Sequence, residues 1–174
     1  PTTIDTNYYQ NTRPIKDNFY IGWTGSLTTI KHLEGIIHIL ENIKSKYPYV
    51  HFLFISDKQP EFNSIPFDFI HWNKANEINT LSLIDIGIMP LPDDEWAKGK
   101  CGFKGLQYMA LEIPAVLSPV GVNTEIIQHG ENGFLANTPE EWIEKLSLLI
   151  ESKELREKLG KAGRQTVIEK YSFE

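Results

Sequence analysis

Short runs of apolar residues recur along this 174-residue chain, at residues 19–23, 50–55, 67–72, 84–89, 115–118 and 133–136, with helical patterns and turn residues between them. Alternation of this kind is the signature of βα units on a parallel sheet. Six strands with intervening helices fit an α/β fold, a doubly wound parallel sheet with helices on both faces and strand order 3-2-1-4-5-6. Ligands of such sheets bind beyond the carboxyl ends of the strands, where the strand order reverses. That rule singles out the loops after the first and fourth strands, residues 25–29 and 90–104.

The helical segments have their own signals. Ile30, Leu33, Ile37, Leu40 and Ile43 make one apolar stripe, which predicts a single helix over residues 29–47, closed by Pro48. Shorter helices are predicted over residues 77–83, 102–111 and 123–128, and residues 90–100 read as a loop with Pro90, Pro92, three acids and Trp96. Thr138, Pro139 and Glu141 form a capping box with proline at the first helical position. The helix it starts carries Trp142, Leu146 and Leu149, and Ser152 caps a last, charged helix that runs to about Lys170.

Residues 99–133 carry the strongest hint of chemistry. A loop with two lysines and two glycines leads into a helix, then Pro114, a short strand and a second turn into a helix. Two helix N-termini thereby open at one end of the sheet, an arrangement that suits phosphate. Lys100 and Lys104 stand four apart at a helix start, where lysine opposes the dipole unless an anion is present. Gln107, three residues past Lys104, can face the same pocket, although a mid-helix glutamine more often simply faces solvent.

After the first strand, Gly25 allows close backbone approach, and Ser26, Thr28 and Thr29 can cap the helix or meet a phosphate oxygen. A tight turn with an N-cap explains the same residues. The glycine spacing is not that of a dinucleotide fingerprint, which argues against a nicotinamide cofactor. Trp72, followed by Asn73, ends the third strand at the ligand edge, where it can wall a nucleobase or simply pack.

A formal net charge of −6 argues against nucleic acid or an anionic membrane as a bulk partner. An anionic ligand would be held locally, by dipoles and a few lysines. Cys101 is the only cysteine, so no internal disulfide forms and a reducing compartment fits. The five histidines show no metal-ligand spacing, and no metal is expected. No apolar run reaches the roughly 18 residues of a transmembrane segment. The sequence reads as cytoplasmic.

Several ordered motifs together carry a family resemblance. CGFKGLQYMALEIPAV at residues 101–116, SPVG at 118–121, EIIQHGENGFL at 125–135, IGWTGS at 21–26 and DIGIMPL at 85–91 resemble the donor-binding domain of family-4 (group 1) retaining glycosyltransferases. The resemblance covers nearly the whole chain. It implies a Rossmann-like domain from an enzyme of GT-B architecture, in which the C-terminal domain holds a nucleotide-sugar and the N-terminal domain brings the acceptor.

Residues 1–174 would then be one nucleotide-sugar-binding domain, with 1–17 resembling the interdomain linker and the N-terminal acceptor domain absent. By the same resemblance the partners are a nucleotide-diphosphate sugar and that N-terminal domain of the full-length protein. No metal or other cofactor is implied, and the setting is carbohydrate biosynthesis, cytoplasmic or peripheral at the membrane in the full-length form. The isolated chain should bind donor weakly and transfer nothing.

Carried over position by position, the resemblance implies a site of Gly25, Ser26, Thr28, Thr29, Trp72, Asn73, Lys100, Gly102, Phe103 and Gln107, with Lys104 as the principal charge on the leaving diphosphate. The chain also departs from the pattern. Two glutamates usual in the family fall on Gly99 and Gln107, and Ser26 replaces an arginine, which leaves open whether Lys31 is that residue's usual lysine partner. Two alternatives follow: a non-catalytic module holding a nucleotide or phosphosugar, and a sugar-nucleotide epimerase.

Overall fold

The computed structural model describes residues 2–99 and 102–173. Six strands, β1 (Phe19–Thr24), β2 (Val50–Ser56), β3 (Asp68–His71), β4 (Ile86–Met89), β5 (Ala115–Leu117) and β6 (Phe134–Leu135), form one sheet in the order β3-β2-β1-β4-β5-β6. Every neighbouring pair is parallel. The doubly wound order expected from the sequence is therefore the one observed.

The strands read as continuous apolar runs because both faces of the sheet are covered. Ile21, Trp23, Phe52, Phe54, Ile86, Ile88 and Val116 point into one core. That core is closed by α1 (Ile30–Glu34), α2 (Ile37–Lys46) and α7 (Pro139–Glu151) through Leu33, Leu40, Ile43, Trp142, Leu146 and Leu149. The alternate residues Leu53, Ile55, Met89, Ala115 and Leu117 point into a second core. There they meet α3 (Glu77–Leu81), α5 (Phe103–Ala110), α6 (Asn123–Ile126) and α8 (Lys153–Lys170) through Leu81, Leu106, Met109, Ile126 and Val167.

On this second face, β1 and β4 present glycines. A Cβ on Gly87 would lie 2.5 Å from the Tyr108 ring, and one on Gly22 would lie 2.3 Å from Ile84. The missing side chains let α5 and the segment before β4 pack directly on the strands.

Two expectations need correction. The segment predicted as one helix over residues 29–47 is two, α1 and α2, separated at Gly35 and Ile36. The apolar stripe did not reveal the break, because Ile30, Leu33, Ile37, Leu40 and Ile43 are all buried on the same side of the sheet in spite of it. The loop over residues 90–100 contains a helical turn, α4 (Glu95–Lys98), whose N-cap Asp94 accepts from the Ala97 amide at 2.7 Å.

Both predicted caps are present. Thr138 accepts from the Glu141 amide at 3.1 Å while the Glu141 carboxylate accepts from the Thr138 amide at 3.0 Å, and Ser152 accepts from Leu155 at 3.0 Å. The segment before β1 lies on the second core, with Ile4 and Tyr9 buried. Arg164 of α8 fastens it, donating to the carbonyls of Thr6, Tyr9 and Ala110.

Candidate functional site

A cavity of about 330 Å³ opens where the strand order reverses, between the carboxyl ends of β1 and β4. Trp23 and Thr24 end β1 on its wall, and Gly25, Ser26 and Thr29 follow in the turn. His32 of α1 lines it, as do Met89, Pro90 and Leu91 at the end of β4, and Gly102, Phe103 and Lys104 at the start of α5.

Each contribution has a local cause. Gly25 is required because the Trp23 indole lies across it, so that a Cβ there would sit 2.2 Å from the ring and 2.6 Å from Thr29 Oγ1. Gly102 has φ +71, and a Cβ on it would meet Ile126 at 2.7 Å. A backbone in that region, pressed against α6, is what turns the chain into α5. The second helix start foreseen in the sequence, α6, therefore supports Gly102 from behind, while α5 faces the cavity. The amides of Phe103 and Lys104 lie in the first turn of α5 and have no carbonyl partner within the helix.

Behind the cavity's two strands, Tyr108 of α5 takes over where the paired register of β1 and β4 ends, at Gly22–Gly87. Its hydroxyl accepts from the Thr24 amide at 3.2 Å and donates to the Ile88 carbonyl at 2.9 Å. Complete burial pushes the phenol's pKa well above its ordinary value.

The cavity wall has no carboxylate among its described residues, and its ionisable side chains are Lys104 and His32. In a chain of net charge −6 that is a local reversal of sign.

The turn after β1 is tied up internally. The amides of Gly25, Ser26, Leu27 and Thr29 donate to Ile55 O, Thr29 Oγ1, Asp57 Oδ1 and Ser26 O, at 3.0, 2.8, 2.8 and 3.0 Å. A ligand on that side meets side chains more readily than backbone donors.

Of the residues singled out in the sequence, Gly25, Ser26, Thr29, Gly102, Phe103 and Lys104 come together on this wall. Thr28 is exposed beside it, its hydroxyl 2.9 Å from Ser26 Oγ. Lys100 and Cys101 lie outside the described residues. Asn73 accepts from the Ala75 amide at 2.8 Å and caps a 3₁₀ turn, Lys74–Asn76.

Trp72 and Gln107 belong to a different cluster, built around Glu77. This carboxylate is 5% exposed and accepts from Trp72 Nε1 at 2.9 Å, Tyr9 OH at 3.1 Å and Tyr8 OH at 3.4 Å, with Lys74 Nζ at 3.6 Å. Gln107 Nε2 donates to Tyr9 OH at 2.9 Å. Burial, the largest influence, holds the Tyr9 phenol's pKa well above its ordinary value.

His32 was not among the residues expected at the site. Its signal was position alone, three residues beyond Thr29 on the helix leaving the turn. Its ring packs on Trp96 of α4 with centroids 5.2 Å apart, and Lys31 Nζ lies 5.3 Å from that indole's centroid. Trp96 therefore ties α4 to α1, and on its other side α4 is buttressed by Gly121, where a Cβ would lie 2.7 Å from the Lys98 carbonyl oxygen.

Among the described residues no group of His, Cys, Asp or Glu is placed to hold a metal ion, and no helix is long and apolar enough to cross a membrane.

Known proteins resemble both the sequence and the fold. CapM of Staphylococcus aureus, a capsular polysaccharide biosynthesis glycosyltransferase, is 24% identical over 170 residues, covering 91% of this chain and 43% of CapM. The chain thus spans less than half the length of that relative. The C-terminal domain of LpcC, a glycosyl transferase group 1 family protein of Francisella tularensis, superposes with a TM-score of 0.75 at 22% identity, covering 98% of this chain and 100% of that one.

HepE (Alr3699) of Anabaena, solved with UDP and glucose, superposes with a TM-score of 0.78 at 16% identity, over 98% of this chain and 51% of that one. HepE has also been solved with UDP-glucose. The family model for glycosyl transferases group 1 matches residues 18–152, most of the chain and all six strands of its sheet. The chain belongs to the group 1 glycosyl transferases.

Proposed function

We infer that the cavity between β1 and β4 receives the diphosphate of a nucleotide-sugar, and that this domain is the donor-binding half of a retaining glycosyltransferase. The observation that carries the reading is the acid-free cavity at the strand-order reversal, with Lys104 and the first amides of α5 on its wall. That HepE has been solved with UDP-glucose supports a donor of the same class. In this reading a partner domain holds the acceptor, and the 174-residue chain by itself is expected to bind donor without transferring sugar.

In the reaction, the bond between the sugar's anomeric carbon and the diphosphate oxygen breaks as the acceptor hydroxyl's oxygen bonds to that carbon, the hydroxyl proton passes to the leaving diphosphate, and negative charge collects there. Lys104 and the amides of Phe103 and Lys104 stabilise that charge in place, with no reorganisation at the moment of bond breaking. No nucleophile from the protein is required.

A charge-assisted hydrogen bond contributes roughly 1.5–3 kcal/mol, so Lys104→Ala should weaken nucleoside-diphosphate binding roughly 10- to 150-fold in calorimetry. Unchanged affinity would refute the assignment.

One observation favours a second reading, a module that binds a nucleotide or phosphosugar without turnover. Gln107 has its amide on Tyr9, away from the cavity wall, and Gly99 has no side chain to offer a sugar hydroxyl. Sugar transfer by the full-length protein, assayed with a panel of nucleotide-sugars, separates the two.

A further inference from the structure

His32 is the ionisable group of the cavity that the donor reading leaves without a task. It sits on the cavity wall at 7% exposure. Its ring is held by the Trp96 indole, so little freedom remains to be lost when a ligand arrives. The amides of Gly25, Ser26, Leu27 and Thr29 are already donated within the protein, so an anion on the α1 side of the cavity meets the side chains of Ser26, Thr29 and His32. Lys104 stands on the α5 side, and no described residue of the wall is acidic.

The geometry points to His32 as a second side-chain contact of the bound diphosphate, neutral in the empty cavity and protonated in the complex. It rests on the donor reading above. An imidazole has an ordinary pKa of about 6.5, and both burial and a lysine in the same cavity favour its neutral form. A nucleotide-sugar brings two negative charges and reverses that preference.

Among the described residues, the other ionisable groups on the elements around His32 are Lys31 and Glu34 on α1, Asp57 beside the turn, Asp94, Glu95 and Lys98 at α4, and Lys104 on α5. Lys98 is paired with Asp93 and Glu95, each at 3.7 Å, and Asp57 accepts from the Leu27 amide. These partnerships are internal to the protein, and the charge that binding adds is the diphosphate's own. Binding therefore takes up a proton, and affinity rises as pH falls through the histidine range.

Calorimetry with UDP-glucose in two buffers of different ionisation heat tests this, since neither phosphate of that probe titrates near neutrality. GDP-mannose and ADP-glucose are run alongside. The unaltered chain should take up protons near neutral pH and bind roughly fivefold more tightly at about pH 6 than at about pH 8, the part of a one-unit pKa shift that falls in that window.

His32→Gln keeps a polar side chain of similar reach without the titration. It should bind with a flat pH profile and match the unaltered chain at the alkaline end. His38→Gln, at an exposed histidine of α2, should behave as the unaltered chain does. A His32→Gln protein that keeps the proton uptake and the pH profile overturns the inference.

Should His32→Gln melt early, the His32 ring resonance of the unaltered chain serves instead. It should move towards the imidazolium position on saturation at neutral pH, and a ring that stays neutral equally overturns the inference. If none of the three donors binds the unaltered chain at any pH, the donor reading itself fails.

Discussion

Replacing Tyr108 with phenylalanine removes one oxygen from the junction that holds the cavity's two strands together. The paired register of β1 and β4 stops at Gly22–Gly87, and beyond it the tyrosine hydroxyl joins the Thr24 amide, 3.2 Å away, to the Ile88 carbonyl, 2.9 Å away. Tyr108, Ile88 and Thr24 are 0%, 1% and 5% exposed, so water has little access to the two backbone groups once the oxygen is gone.

Each buried group left without a partner costs about 1–3 kcal/mol. Some relaxation of the strand ends brings the expected loss to roughly 2–4 kcal/mol. In a domain of this size that lowers the melting temperature by roughly 5–15 °C. Urea unfolding should show the same loss with an unchanged m value, and the Thr24 amide should exchange faster.

The alkaline limb gives an independent check. Burial raises the pKa of Tyr108 above the ordinary 10.0, so folding favours the neutral phenol. This contribution is intact below pH 10 and is lost as the unfolded phenol ionises above it. Tyr9 behaves alike and remains in the variant. The stability gap between the parent and Tyr108→Phe should therefore narrow by about 1 kcal/mol between pH 10 and 11. A stability loss under about 0.5 kcal/mol at neutral pH, or a gap that does not change in alkali, would refute the account of this junction.

Two further substitutions probe the surroundings of the cavity. Gly25→Ala places a Cβ 2.2 Å from the indole of Trp23, itself 3% exposed and unable to swing into solvent, and overpacking of this kind costs about 1–3 kcal/mol. A thermal melt matching the parent's would show that the turn yields where the geometry says it cannot. Glu77→Ala strips the acceptor from Tyr9 and from Trp72 Nε1, with an expected loss of about 2–4 kcal/mol. The Trp72 fluorescence should shift with it, and an unchanged spectrum would argue against the indole's bond to Glu77.

The parts of the fold that were legible in the sequence are those with local causes. Continuous apolar runs marked strands buried on both faces, Thr138 and Glu141 marked a helix start within four residues, and the strand order is the one usual for six strands alternating with helices in a doubly wound sheet. The break between α1 and α2 escaped notice for a local reason too. Gly35 keeps ordinary helical angles, φ −62 and ψ −20, and the apolar stripe resumes in phase after it. Periodicity sees the face a helix buries, and a break that preserves the face leaves no trace in it.

The site divides along the same line. Its position was legible because a strand-order reversal follows from topology, and Gly25, Gly102 and Lys104 flank that point in the sequence. What each side chain does there depends on partners far along the chain, which no local pattern encodes. Gln107, three residues from Lys104, shares a helix turn with the cavity, yet its amide is claimed by Tyr9, 98 residues away in sequence, which is in turn bonded to Glu77. His32 drew no attention as one of five scattered histidines, and only the fold sets it on the cavity wall, packed against Trp96 of α4. The two cases are mirror images, a residue expected at the cavity whose amide the fold bonds elsewhere, and a residue given no role in the sequence that the fold sets on the cavity wall.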